Sequence, residues 1–148
     1  ERGIKEPKSV FSECFGAPFM PRPASVYAKL LGEKINKHNT VVYLVNTGWS
    51  GGPYGIGARI KIKYSRAMVT AALIGDLNKV KYRHDELFNL DIPTEVPEVP
   101  SEILDPKNTW SDKELYELSA KKLAQMFVDN FKKFQNVGPE IINAGPKP

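Results

Sequence analysis

The stretch NTGWSGGPYGIGAR occupies residues 46–59, and five of its fourteen positions are glycine. Such a density of glycine is typical of a backbone that turns sharply or comes close to another group. A β-branched apolar run, TVVYLVN, precedes it at 40–46, and an alternating run, RIKIK, follows at 59–63. The first run predicts a central strand buried on both faces, and the second predicts a strand that directs Ile60 and Ile62 to one face. The glycine stretch is therefore predicted to connect two strands.

Predicted helices lie on both sides of this segment. Apolar residues recur at three-or-four spacing after Pro23, which predicts an amphipathic helix that ends near residues 36–39. A second helix follows the alternating run, with Ser65 in position to cap its start and Gly75 to end it. Alternating strands and helices of this kind indicate a mixed α/β fold with a sheet and packed helices.

The last third of the chain combines a short strand, a proline-rich segment and a long helix. Residues 87–92 predict a strand, and residues 93–110 carry four prolines in eighteen positions, which predicts an extended arm without regular structure. The SDKE motif at 111–114 matches a capping box and predicts a helix over 111–135. The apolar stripe predicted for that helix consists of Tyr116, Ala120, Leu123, Phe127, Phe131 and Phe134.

The glycine stretch falls short of a phosphate-binding loop by itself. Residues 52–59 have the G-x-x-x-x-G spacing, but Ala58 and Arg59 stand where such a loop needs lysine and a hydroxyl residue. A predicted strand also follows, whereas a phosphate loop opens a helix. A flexible hairpin-like connection is the plainer interpretation. Arg59, Lys61 and Lys63 would share one strand face, which either favours a polyphosphate or forms a solvated sheet edge.

Composition limits the classes of function. The 148 residues are enough for one domain, and a net charge of +4 without interleaved aromatic residues disfavours a nucleic-acid-binding surface. No apolar run approaches the ~20 residues of a membrane span. The single cysteine, Cys14, excludes an internal disulfide and is predicted to be a buried packing residue in a reducing compartment. His38 and His84 have no partner at ligand spacing, so no catalytic residue and no metal site is predicted from this chain.

Several stretches together resemble the C-terminal portion of ATP-dependent phosphoenolpyruvate carboxykinases. They are CFGAPF at 14–19, YLVNTGWSGG at 43–52, GARIKIKYSR at 57–66, FNLDIPTEVPEVPSEILDPKNTW at 88–110 and AGP at 144–146. The resemblance implies that residues 1–148 form a single unit, the C-terminal part of a mononucleotide-binding domain with a mixed sheet.

The resemblance also implies an activity that is distributed over more polypeptide than these residues. Enzymes of this family convert oxaloacetate and ATP to phosphoenolpyruvate, ADP and carbon dioxide in the cytoplasm, as a step of gluconeogenesis. They use Mg²⁺ with the nucleotide and a second ion, typically Mn²⁺. The phosphate loop, the metal ligands and the oxaloacetate-binding arginine of the family have no counterpart here. The chain is therefore expected to be a fragment whose partner is the missing N-terminal part, and to be inactive alone.

The same resemblance assigns three residues to the ATP site. Arg59 and Ile60 match an Arg-Ile pair that lines the site, and Ser65 matches a hydroxyl residue that completes it. Ile60 would face the adenine, Arg59 would stack on the base or bond the ribose side, and Ser65 would either bond a base nitrogen or cap its own helix. A rival interpretation is a non-catalytic nucleotide-binding or interaction module whose apolar segment 40–46 docks on a partner chain.

Overall fold

The computed structural model describes residues 3, 10–14, 16–134 and 136–148. They form two compact units. The first consists of Glu1–Val42 with Met126–Gly145, and the second of Tyr43–Gln125 with Pro146–Pro148. Helices and small antiparallel sheets make up the described residues, which confirms the mixed α/β class. The assignment of residues 1–148 to one domain stays a prediction, because units grouped by contacts can belong to one domain.

The first unit is helical. Helix α1 covers Ala24–His38 and begins directly after Pro23, whose φ of −55° suits the start of a helix. It ends at Asn39, which adopts the left-handed conformation with φ of 49° and donates its backbone N–H to the carbonyls of the last turn. The helix predicted between Pro23 and residues 36–39 is confirmed. A short 3₁₀ helix at Ala17–Phe19 precedes α1 in this unit.

The second unit contains two separate two-stranded antiparallel sheets with helices between and after them. Strands β1 (Trp49–Ser50) and β2 (Ala58–Arg59) form the first sheet, and β3 (Tyr82–Asp85) and β4 (Leu90–Pro93) form the second. The remaining helices among the described residues are α2 (Ile62–Leu73), α3 (Pro106–Thr109), α4 (Lys113–Phe131) and α5 (Pro139–Asn143), with 3₁₀ helices at Asp76–Lys79 and Ser101–Leu104; α5 and the end of α4 belong to the first unit.

The apolar run 40–46 is not a strand, and the prediction of a buried central strand is wrong for this structure. A central strand needs a hydrogen-bonded neighbour on each side, and none of the described strands pairs with this run. Its side chains are therefore uncovered, with Val42 61% and Leu44 81% exposed. Tyr43 alone reaches the core of the second unit, where its hydroxyl donates a hydrogen bond to Oδ1 of Asn78 at 3.2 Å.

The alternating run 59–63 does not continue as a strand either. Pairing stops at Arg59, and α2 begins at Ile62, because the strand partner ends while the following sequence is rich in helix-forming residues. Lys61 occupies the N-cap position with an extended backbone and no side-chain capping hydrogen bond, so Ser65 lies inside the first turns and is not the cap. The predicted end at Gly75 is confirmed, since that residue has φ of 80° directly after the helix.

The second sheet is a hairpin that the sequence only half predicts. Residues 87–92 were expected to be one strand, but their first half belongs to the turn and β4 begins at Leu90. Strand β3 lies in a polar run that carries no apolar alternation. The turn is closed by the Asp85 side chain, whose Oδ1 accepts a hydrogen bond from the backbone N–H of Phe88 at 2.9 Å. Asn89 completes it with φ of 54°.

The proline-rich segment 93–110 is not an irregular arm. Pro100 precedes the 3₁₀ helix Ser101–Leu104, and Pro106 starts α3, so these prolines begin helical turns instead of preventing them. Two of its valines are buried, and they complete a small core. That core consists of Ala71, Leu77, Val96 and Val99. The segment is thus an integral part of the second unit.

Helix α4 agrees with the predicted long helix but differs in its cap and its buried face. The cap is Asp112, whose Oδ1 accepts the backbone N–H of Leu115 at 2.9 Å, and not Ser111 of the predicted capping box. Ala120 and Ala124 are the buried positions, whereas Leu123 and Phe127 of the predicted stripe are 41% and 43% exposed. The helix ends at Phe131, short of the predicted residue 135, which lies outside the described residues.

The prediction for Cys14 is wrong, because this thiol is exposed. Its Sγ lies 3.4 Å from Sδ of Met20, beside the 3₁₀ helix of the first unit. A cysteine in the proline- and glycine-rich stretch that precedes α1 has too few neighbours within that stretch to be buried. The search for helices long and apolar enough to cross a membrane finds none within the described part of the chain.

Candidate functional site

The geometry of the glycine hairpin (residues 48–60) restricts which residue types several of its positions can hold. Strands β1 and β2 pair through Trp49 with Arg59 and Ser50 with Ala58, so a hairpin is present, but its strands lie within the glycine stretch and do not include the predicted strand at 40–46. The backbone closes on itself: a Cβ added to Gly57 would lie 2.3 Å from the carbonyl oxygen of Gly52. These glycines are therefore required by close contact as well as by conformation.

An aromatic residue and a cation lie next to each other on this hairpin. Trp49 and Arg59 are directly opposite each other across the two strands, and Cζ of Arg59 is 5.5 Å from the centroid of the Trp49 ring. This distance is within the range of a cation–π interaction. Tyr54, at the far end of the hairpin, packs edge-on against Trp49 with ring centroids 5.7 Å apart and planes inclined by 79°.

The three predicted nucleotide-binding residues lie at the exit of the hairpin. Arg59 ends β2 and is exposed, and Ile60 follows it half-buried, with its backbone N–H bonded to the carbonyl of Gly48 at 2.9 Å. Ser65 is half-buried on the first turns of α2, where its backbone N–H bonds to the carbonyl of Lys61 at 3.3 Å. Arg59 and Ile60 thus lie together where β2 ends, with Arg59 paired to Trp49 and Ile60 hydrogen-bonded to Gly48. In the described residues no hydrogen bond links Ser65 to either of them.

The charges beyond the hairpin do not form a uniform cationic face. Because the helix starts at Ile62, Lys63 and Arg66 belong to α2, and the predicted row of Arg59, Lys61 and Lys63 on one strand face is wrong. Lys63 and Arg66 instead line a hollow of about 480 Å³ that Asp76 and Glu98 also line. Opposite charges in the same hollow weaken the case for a polyphosphate there.

Acidic and histidine side chains do not gather into a metal site. Among the residues that the structure describes, no group of three or more such side chains is placed to hold a metal ion. His84 is instead paired with Asp91 across the β3–β4 hairpin, with Nδ1 and Oδ1 2.9 Å apart.

Shifted pKa values occur where packing and ion pairs explain them. Burial raises the pKa of Tyr116, and the negative charges of Asp85 and Asp105 raise it further. A hydrogen-bonded ion pair raises the pKa of Lys107 and lowers that of Glu117. The three shifted groups lie on α3 and α4, outside the glycine hairpin.

Sequence reasoning missed Trp49. Trp49 lies within the glycine stretch, ten residues before Arg59, and no local motif marks it. A register centred on the glycines would have placed the two opposite each other and could have found the pair.

Comparison with known proteins gives consistent matches. Residues 1–102 match the phosphoenolpyruvate carboxykinase family. The chain is 63% identical over 147 residues to a phosphoenolpyruvate carboxykinase (ATP) of Caldanaerobacter subterraneus subsp. tengcongensis, covering 99% of this chain and 28% of the relative. It is 59% identical over 148 residues to that of Fusobacterium nucleatum, with the same coverage of both chains. It is 56% identical over 145 residues to that of Geobacillus kaustophilus, covering 98% of this chain. The chain thus spans about 28% of the length of these curated relatives.

Proposed function

Since the chain belongs to the phosphoenolpyruvate carboxykinase family and is similar throughout to its ATP-dependent members, we propose that it forms the C-terminal portion of an enzyme that converts oxaloacetate and ATP to phosphoenolpyruvate, ADP and carbon dioxide. This portion contributes part of the adenine and ribose side of the ATP site. The observation that carries the proposal is the closed glycine hairpin, which presents Arg59 and Ile60 at its exit, shortly before α2 begins at Ile62.

Each of the three residues has a distinct task in this proposal. Ile60 offers apolar surface to one face of the purine, and the planar guanidinium of Arg59 stacks on the base or bonds the ribose side. Because Lys61 and not Ser65 occupies the N-cap position of α2, the hydroxyl of Ser65 is not used to cap the helix. It is available to bond a nitrogen of the base. Close approach of the nucleotide is possible where the hairpin lacks side chains.

The phosphates and metal ions of the reaction are assigned to polypeptide upstream of these residues. The family uses Mg²⁺ with the nucleotide and a second ion such as Mn²⁺, but the acidic residues of this chain do not fit such ions, because the described ones form no cluster. Positioning and charge stabilisation account for most of the catalysis of phosphoryl transfer. What this chain contributes is the placement of the base, which fixes the position of the rest of the nucleotide. Cytoplasmic gluconeogenesis is the setting that we propose.

Turnover measurements test whether catalysis requires polypeptide outside these residues. We expect the chain alone to form no phosphoenolpyruvate from oxaloacetate, ATP, Mg²⁺ and Mn²⁺, while the complete enzyme does. The chain alone should bind ATP near millimolar, worth about 4 kcal/mol, because it holds only part of the site. Turnover by the chain alone, or micromolar affinity in calorimetry, would contradict the proposal.

A second candidate is a non-catalytic module that docks on a partner chain. The observation that favours it is the uncovered apolar run 40–46, in which Val41 and Val42 are each 61% exposed. Light scattering separates the two candidates. A discrete oligomer of defined size that depends on Val42 and Leu44 and persists on dilution would favour the module. A monomer that completes a carboxykinase, with only polydisperse aggregates at high concentration, would favour the enzyme.

A further inference from the structure

The guanidinium of Arg59 is flat, and the structure places it over the indole of Trp49, with 5.5 Å between Cζ and the ring centroid. Arg59 is exposed as a residue, so its side chain is accessible to a ligand. A flat cation supported from one side is suited to stacking a second flat ring on the other.

The support for Arg59 is built into the fold of the hairpin. Trp49 and Arg59 are cross-strand partners, which places their side chains on the same face of the sheet. Tyr54 packs edge-on against Trp49 from the end of the hairpin. The register cannot slip easily, because the backbone near Gly57 touches the carbonyls of Ser50 and Gly52. The indole is therefore held in place before any ligand arrives.

We propose that Trp49 is a positioning residue for nucleotide binding: it holds the Arg59 guanidinium flat, so that indole, guanidinium and purine stack in three layers. This proposal rests on the proposed function, since it concerns the same adenine side of the ATP site. Binding then loses less rotamer freedom of the long Arg59 side chain, which is the advantage of a prearranged group. The stacking energy increases with the flat area of the base, so the stack favours a purine nucleotide over a pyrimidine nucleotide. The exocyclic groups of the base are recognised by Ser65.

Kinetics of the complete enzyme test the stack. Trp49→Leu should raise the KM for ATP about fourfold, as expected for loss of one cation–π contact. The value of kcat and the KM for oxaloacetate should stay unchanged. Trp49→Phe retains an aromatic face and should restore most of the affinity. Trp110→Phe is the matched control, because Trp110 packs on Tyr116 and lies outside the hairpin.

The outcomes distinguish the stacking proposal from the proposed nucleotide site on which it rests. If Arg59→Ala raises the KM for ATP and Trp49→Leu does not, the stacking proposal fails and the nucleotide site stands. If neither variant changes the KM for ATP, the nucleotide site itself is misplaced and both proposals fail. A fall in kcat for Trp49→Leu at constant KM would also overturn a positioning role.

Fluorescence tests the contact between Trp49 and Arg59 without any nucleotide. The chain has two tryptophans, so the Trp110→Phe variant leaves Trp49 as its single indole. Arg59→Ala in that background should shift the emission of Trp49, because it removes a cation from the ring face. Arg66→Ala, which removes an arginine that lines the α2 hollow, should leave the emission unchanged. Emission that is insensitive to Arg59 would overturn the proposal even if all variants fold.

Discussion

The glycine hairpin pairs two residues on each strand, whereas the β3–β4 hairpin pairs four. The first is held by a backbone that folds onto itself around Gly52 and Gly57. The second is held by its ladder of strand hydrogen bonds and by the Asp85 side chain, which closes the turn. The glycine hairpin depends on the absence of side chains, so it should tolerate an added Cβ poorly. The β3–β4 hairpin depends on its strand hydrogen bonds, so it should tolerate side-chain changes better. The two should therefore respond differently to substitution.

The largest expected effect is that of Gly57→Ala. The new Cβ would lie 2.3 Å from the Gly52 carbonyl oxygen and 2.7 Å from that of Ser50, and backbone atoms cannot move aside without opening the hairpin. We expect a loss of about 3 kcal/mol in the free energy of unfolding, at the upper end of overpacking effects. Urea unfolding monitored by circular dichroism measures it.

Gly55→Ala is the matched control in the same hairpin. A Cβ at Gly55 meets nothing within 4 Å, so only its φ of 88° opposes the substitution. The cost should be about 1 kcal/mol, which is typical of one residue in a left-handed conformation. Equal losses for the two variants would show that conformation, and not contact, holds this hairpin.

The next effect concerns the turn of the β3–β4 hairpin. Asp85→Ala removes the acceptor of the Phe88 N–H, a partly buried hydrogen bond of 2.9 Å. The expected loss is about 1 kcal/mol in the free energy of unfolding, because the donor is left without its partner. Asp85→Asn keeps a side-chain oxygen and should lose much less. If Asp85→Ala costs as much as Gly57→Ala, the contrast between the two hairpins disappears.

The pH dependence of stability near Tyr116 also involves Asp85. Burial, with the charge of Asp85 as the next cause, raises the pKa of Tyr116 above its ordinary value of about 10. The folded state thus favours the neutral phenol, so this stabilisation is complete below the unfolded pKa and is lost as pH rises through the folded pKa. Asp85→Asn should lower the pKa of Tyr116 part of the way. Absorbance titration of tyrosinate, with Tyr116→Phe as the reference, measures the change.

The smallest effect is expected on the open face of the β3–β4 hairpin. His84 and Asp91 pair at 2.9 Å, but their side chains are 50% and 70% exposed. A double-mutant cycle with His84→Gln and Asp91→Asn should give a coupling free energy of about 0.5 kcal/mol or less, since solvent screens such pairs. A coupling well above that would mean that side chains contribute to this hairpin as strongly as its ladder.

Local signals predicted the parts of the fold that are decided locally. The start of α1 after Pro23, the end of α2 before Gly75 and the turn within the glycine stretch all depend on a few adjacent residues. Strand predictions failed where pairing decides the outcome. The run 40–46 has strand composition but no described partner, and β3 has a partner but no strand composition.

The candidate site also has features that the sequence indicates and features that depend on strand pairing. Arg59, Ile60 and Ser65 were assigned from a resemblance, and their role as a nucleotide site stays a proposal. The sequence could not decide between two uses of the Ser65 hydroxyl, because the start of α2 depends on where the β1–β2 pairing ends. The structure removes the capping use. The contact between Trp49 and Arg59 could not be predicted from local motifs in the sequence, because it depends on the strand register of the folded hairpin.

The uncovered run 40–46 has a consequence for handling the protein. It contains no proline, glycine or charged residue, and Val41, Val42 and Leu44 are all more than half exposed. Short segments of this composition with free backbone groups pair readily with copies of themselves and stack into cross-β fibrils. At high concentration the chain by itself should therefore aggregate through this run, and a lysine in place of Val42 should act as a gatekeeper that keeps it in solution.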